Sequence, residues 1–91
     1  MFTSNFLNNL IITNMTITVK FFASLREQVG KSEVQIEPSD SLTVEQVWTQ
    51  VCDNAPLPVH ILMAVNKEYS KPEALVQAGD EVAFFPPVTG G

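Results

Sequence analysis

One helix, with both of its ends marked, can be read in the middle of this chain, and it dictates what the remaining residues must do. Val44, Val47, Trp48, Val51 and Cys52 recur at i, i+3, i+4, i+7 and i+8, a single continuous apolar stripe. Thr43 and Gln46 have the spacing of a capping box, and Leu42 and Val47 occupy the two positions of a hydrophobic staple. Pro56 and Pro58 keep the helix from running far beyond Asn54. Such a stripe has to be buried against a flat apolar surface, and the flanking sequence supplies strands.

Thr16-Ile17-Thr18-Val19-Lys20-Phe21-Phe22 alternates, with Ile17, Val19 and Phe21 on one face, the pattern of a half-buried strand. Ser24 and Glu27 are spaced as a second capping box, and Gly30 stands just past Val29 as a terminator. That predicts a helix of about two turns, with Leu25 and Val29 one turn apart. Glu33 to Glu37 alternates again before Pro38. Ile61 to Val65 is a continuous apolar run that fits a buried strand. Asn66-Lys67-Glu68 is polar enough to turn the chain back toward Tyr69, and Ala78-Gly79-Asp80 signals another turn before a last strand, Glu81 to Phe85. Strands mixed with one dominant helix define an α+β domain, a sheet covered on one face.

The 91 residues, 45% apolar and 16% charged, suit one small globular domain. The net charge of −5 argues against nucleic acid and anionic membranes, both of which need basic clusters. No apolar run approaches the ~20 residues of a spanning helix. Cys52 is the single cysteine, so no intrachain disulfide can form and a cytoplasmic location is expected. Residues 1–14 contain no Lys or Arg, and Asn5, Asn8 and Asn9 interrupt the apolar residues, which makes a poor secretory signal. They read as an extension, expected to be mobile, in front of a domain at 15–87. Met15 is a second candidate for the functional start.

Self-contained chemistry is hard to find. His60 is the single histidine, and no CxxC or HxxxH spacing exists, so no metal site is expected. Gly30, Gly79, Gly90 and Gly91 form no phosphate-cradling loop. There is no GxSxG elbow, and the carboxylates are scattered over caps, strand faces and turns. What remains is the end of the chain, Pro86-Pro87-Val88-Thr89-Gly90-Gly91. A terminal α-carboxylate is anionic at neutral pH. It can attack the α-phosphate of ATP to form an acyl-adenylate, which then accepts sulfur or an amine. Glycines let a partner's backbone close around the tail, although on the two glycines alone a frayed terminus fits equally well.

Lys20-Phe21-Phe22-Ala23, Leu25-Arg26-Glu27-Gln28-Val29-Gly30, Ala64-Val65-Asn66 and the block from Gly79 to Gly91 together resemble the molybdopterin synthase small (sulfur-carrier) subunits. The resemblance covers residues 15–91 in order. It implies a ubiquitin-like β-grasp fold with a flexible Gly-Gly tail at 88–91. It also implies a non-catalytic sulfur carrier whose catalytic groups lie on a large synthase subunit. In that family an adenylating enzyme related to ubiquitin activators uses ATP on the terminal glycine, here Gly91, and a persulfide-bearing sulfurtransferase supplies sulfur. No cofactor would be bound by the chain itself. The thiocarboxylate then serves cyclic pyranopterin monophosphate in a heterotetramer with the large subunit.

By the same resemblance Gly90 keeps the tail thin, Val88 and Thr89 lie extended in the partner, and Pro86 and Pro87 limit slack. Phe85, Tyr69 and Arg26 match positions that contact partners. Alternation supports this for Phe85, which must point away from Val82 and Phe84. Tyr69 as a half-buried strand residue, and Arg26 as a solvated helix charge, remain open readings. Residues 1–14 fall outside the family pattern. A carrier for thiamine thiazole synthesis, a ubiquitin-like protein modifier and a non-reactive interaction domain are the competing functions.

Overall fold

The computed structural model describes residues 16–87; the expected extension at 1–14 and tail at 88–91 lie outside them. Among the described residues five strands and two helices follow one another as β1 (Ile17–Phe21), α1 (Ser24–Val29), β2 (Glu33–Ile36), α2 (Val44–Val51), β3 (Leu62–Val65), β4 (Glu68–Tyr69) and β5 (Glu81–Phe85). The strands form one mixed sheet in the order β2-β1-β5-β3-β4. β1 and β5 are parallel at its centre, while the β1–β2, β3–β5 and β3–β4 pairs are antiparallel. The first and last described strands are therefore neighbours.

Alternation sets the inner face as the sequence requires. Ile17, Val19 and Phe21 on β1 and Val82 and Phe84 on β5 are all buried. They meet Val44, Val47, Trp48 and Val51 of α2 in one cluster. At its centre the Phe21 and Phe84 rings stack with centroids 5.8 Å apart. Trp48 packs edge-on against both, at 6.0 and 5.1 Å. Such pairs contribute about 0.5–1.5 kcal/mol each beyond the area they bury. The indole N–H of Trp48 donates to the Pro56 carbonyl at 3.1 Å, so the cluster holds no unmet donor.

The capping box of α2 forms as its spacing predicts. Gln46 N–H donates to Thr43 Oγ1 at 3.1 Å, and Thr43 N–H donates to Gln46 Oε1 at 2.8 Å. The next exposed donors, on Val44 and Glu45, reach the carbonyls of Ala74 and Pro72, tying the helix start to the segment before β5. At the other end Asp53 and Asn54 adopt positive φ of 54° and 65°, unwinding the helix before the prolines. The Lys31 ammonium donates to the Val51 carbonyl at 3.3 Å, a cation at a helix C-terminus.

The second capping box does not form. The N-cap of α1 is Ala23, at φ 56° and ψ −133°, and no side chain caps it. Ser24 is already the first helical residue. Backbone carbonyls satisfy the exposed donors instead. Leu25 N–H donates to the Phe22 carbonyl and Arg26 N–H to the Ala23 carbonyl, both at 3.1 Å. With these donors met as β1 runs into α1, Ser24 has no capping position to fill. The C-terminus matches expectation, with Gly30 at φ 83° donating to the Arg26 carbonyl, a conformation that favours glycine.

Candidate functional site

The inner face of the sheet is committed to α2, so the outer face decides what the domain can meet. It divides into two halves. On the β2–β1 side it is polar and internally satisfied: the Thr16 and Thr18 hydroxyls both donate to Gln35 Oε1, at 2.8 and 3.1 Å. Gln35 Nε2 in turn donates to Glu33 Oε2 at 3.3 Å. Lys20 and Glu81, at 3.6 Å, form an ion pair at the border.

Beyond that border the face is apolar. Register places Ala64 of β3 opposite Ala83 of β5 on one side and opposite Tyr69 of β4 on the other. These two small side chains lie in a hollow of about 310 Å³ lined by Phe22, Ala64, Lys67, Tyr69, Glu81, Ala83 and Phe85. Tyr69 and Phe85 touch at 5.9 Å between ring centroids, tilted by 50°. Tyr69 is 76% exposed and Phe22 44% exposed. The exposed Tyr69 and Phe22 rings and the hollow between them make this the open apolar part of the outer face.

Phe85 is half-buried on the outer face and leads directly into Pro86 and Pro87. The hollow therefore lies at the root of the tail. Val88, Thr89, Gly90 and Gly91 are outside the described residues. Tyr69 is settled as an exposed residue rather than a half-buried one. Arg26 is exposed on α1 but does not line the hollow. Phe22, Ala64, Ala83 and Lys67 were not singled out from the sequence. The signal for Phe22 was present, because a residue following inward-facing Phe21 must face outward. The two alanines carried none, being identified only by cross-strand register.

Other candidates converge on nothing. A larger depression, about 380 Å³, is lined by residues 38–41 and 75–78 and gathers no set of reactive groups. Cys52 lies half-buried in a groove between the helices. Burial pushes its thiol up from the ordinary value, the Lys31 ammonium opposes this, and the Asp53 carboxylate adds to it. His60 is exposed in the loop before β3. Among the described residues no cluster of His, Cys, Asp or Glu could hold a metal ion, and no helix is long and apolar enough to cross a membrane.

Solved structures share this architecture. Small archaeal modifier protein 1 of H. volcanii superposes with a TM-score of 0.67 at 28% identity, over 80% of this chain and 98% of that one. Subunit 1 and 2 of the molybdopterin-converting factor from Helicobacter pylori form a complex whose matching chain gives 0.58 at 18% identity, over 85% and 100%, a likeness of fold. The domain is thus a ubiquitin-like β-grasp. In sequence, the ThiS family matches residues 19–91. The molybdopterin synthase sulfur carrier subunit of Haemophilus influenzae is 41% identical over 85 residues, covering 82% of this chain and 99% of the relative. That of Escherichia coli is 38% identical with the same coverage, and that of Chlamydomonas reinhardtii 34%, over 85% and 100%. The chain belongs to the ThiS family and groups there with the molybdopterin synthase sulfur carrier subunits.

Proposed function

We propose that this chain carries sulfur on the C-terminal carboxylate of Gly91 and delivers it for molybdopterin synthesis. The observation that carries the reading is the 41% identity to a molybdopterin synthase sulfur carrier subunit across 99% of that relative. The geometry is compatible with it. The segment leading into the tail leaves a central strand, Glu81–Phe85, and adjoins an open apolar face.

In the proposed cycle a carboxylate oxygen of Gly91 attacks the α-phosphate of ATP on an adenylating enzyme related to ubiquitin activators, and pyrophosphate leaves. The terminal sulfur of a sulfurtransferase persulfide attacks the acyl carbon and expels AMP. A thiol then cleaves the S–S bond, leaving the thiocarboxylate on Gly91 and a disulfide. Gly90, Thr89 and Val88 thread the active site of the large synthase subunit. There the thiocarboxylate sulfur passes to cyclic pyranopterin monophosphate, and water restores the carboxylate. Phe85, Tyr69 and Phe22 dock on the large subunit, Pro86 and Pro87 set the reach of the tail, and Arg26 adds a peripheral contact. The working assembly is a cytoplasmic heterotetramer, two carriers on a large-subunit dimer.

Intact mass after incubation with adenylating enzyme, ATP and a sulfur source tests this. The expected gain equals one oxygen replaced by sulfur and is absent when Gly91 is deleted. Transfer to the pyranopterin by added large subunit separates this pathway from thiazole synthesis. Conjugates that survive denaturation, with no gain of sulfur, would instead indicate a protein modifier.

A further inference from the structure

The β3–β4 hairpin turns through Asn66 and Lys67, at φ 51° and 71°, the left-handed pair that matches the twist of a two-residue hairpin. Asparagine tolerates this region. The second position ordinarily belongs to glycine, and a lysine there holds its backbone under strain. Asn66 has a structural reason to be present, because both ends of its amide are hydrogen-bonded. Lys67 has no such reason. Among the described residues the ion pair joins Lys20 to Glu81, and no carboxylate lies within that distance of Lys67. Its side chain instead forms part of the rim of the apolar hollow. Glu81, the other charged group on that rim, is paired with Lys20 at 3.6 Å. On a chain of net charge −5 the rim therefore presents one uncommitted cation.

We infer that Lys67 selects the partner covering this face: that partner sets an apolar side chain over Ala64 and Ala83 and a carboxylate beside it, paired with Lys67. The inference rests on the reading that the large synthase subunit docks here. The alanine floor leaves space for an inserted side chain. A wholly apolar partner would desolvate the ammonium without compensation, and a basic one would be repelled. The neighbouring polar half of the face satisfies its own groups and stays in water.

The test is the association kinetics of the full chain with purified large subunit at low and high ionic strength. Lys67→Gly is expected to slow association about 3–10-fold at low ionic strength, with the difference fading at high ionic strength. Its thermal stability should be unchanged or raised, because glycine relieves the strain, and Lys67→Arg should retain the wild-type rate. Phe22→Arg is expected to abolish the complex. If Phe22→Arg loses the complex while Lys67→Gly associates with the wild-type rate and salt dependence, the inference falls and the reading of the face stands. If Phe22→Arg binds like the wild type, both fall.

Discussion

The Asn66 amide reaches across fourteen residues of sequence to the Asp80 carboxylate, Nδ2 donating to Oδ1 at 3.0 Å. Asp80 Oδ2 accepts from the Gln77 N–H at 2.8 Å, and Asn66 Oδ1 accepts from the Glu81 N–H at 2.9 Å. The pair thus clamps the β3–β4 turn to the start of β5, at the end of the strand away from the tail. Asn66→Ala removes two side-chain hydrogen bonds and leaves alanine in a left-handed conformation, a combined cost of about 2 kcal/mol. Thermal unfolding followed by circular dichroism should show Tm falling by roughly 8–16 °C.

The two helix starts make opposite predictions. Thr43→Ala breaks a formed capping box and should cost about 1 kcal/mol. Ser24→Ala touches no cap and should stay within about 0.5 kcal/mol of the wild type. Urea titrations of both variants check the contrast, and equal losses would contradict the backbone-capped start of α1.

Phe84 is fully buried between Phe21 and Trp48. Phe84→Ala should cost about 3–5 kcal/mol, a large share of the stability of so small a domain. The variant is expected to unfold at much lower urea concentrations than the wild type, read from the fluorescence of Trp48 across the titration.

Burial raises the Cys52 thiol, with Lys31 acting in the opposite direction. At neutral pH it should therefore alkylate more slowly than in the unfolded chain. A raised folded-state value favours the native state while the thiol is protonated. That contribution is complete below the unfolded thiol's ordinary value and is lost as pH rises through the folded one. Cys52→Ala should flatten the alkaline side of the stability profile, while Lys31→Ala should slow alkylation further.

Much of this molecule is local in origin and so was legible. The stripe and cap of α2, the terminator at Gly30 and the alternation of β1 and β5 each depend on residues within one or two turns or a single strand. The start of α1 was not, because its donors are met by the carbonyls of Phe22 and Ala23 as the chain leaves β1. The hollow was legible only in part. Phe85 follows from alternation, whereas Ala64, Ala83 and Tyr69 come together through register among β3, β4 and β5. The parallel pairing of β1 with β5 joins the two ends of the domain, and nothing in either strand announces its neighbour. Lys67 was recognisable as part of a polar turn, but its strained backbone and its place on the rim are set by the pairing of β3 with β4 and β5.

The strand order carries a consequence for how the chain is made. Without β5 the sheet separates into two hairpin-like pairs, β2 with β1 and β3 with β4, that no longer share an edge. During synthesis the middle of the sheet therefore stays vacant until β5 is free to fill it. A product cut short before Glu81 cannot assemble the domain and never displays its outer face. A partner docking there, as proposed above, would be spared molecules that lack the strand leading into Pro86 and Pro87.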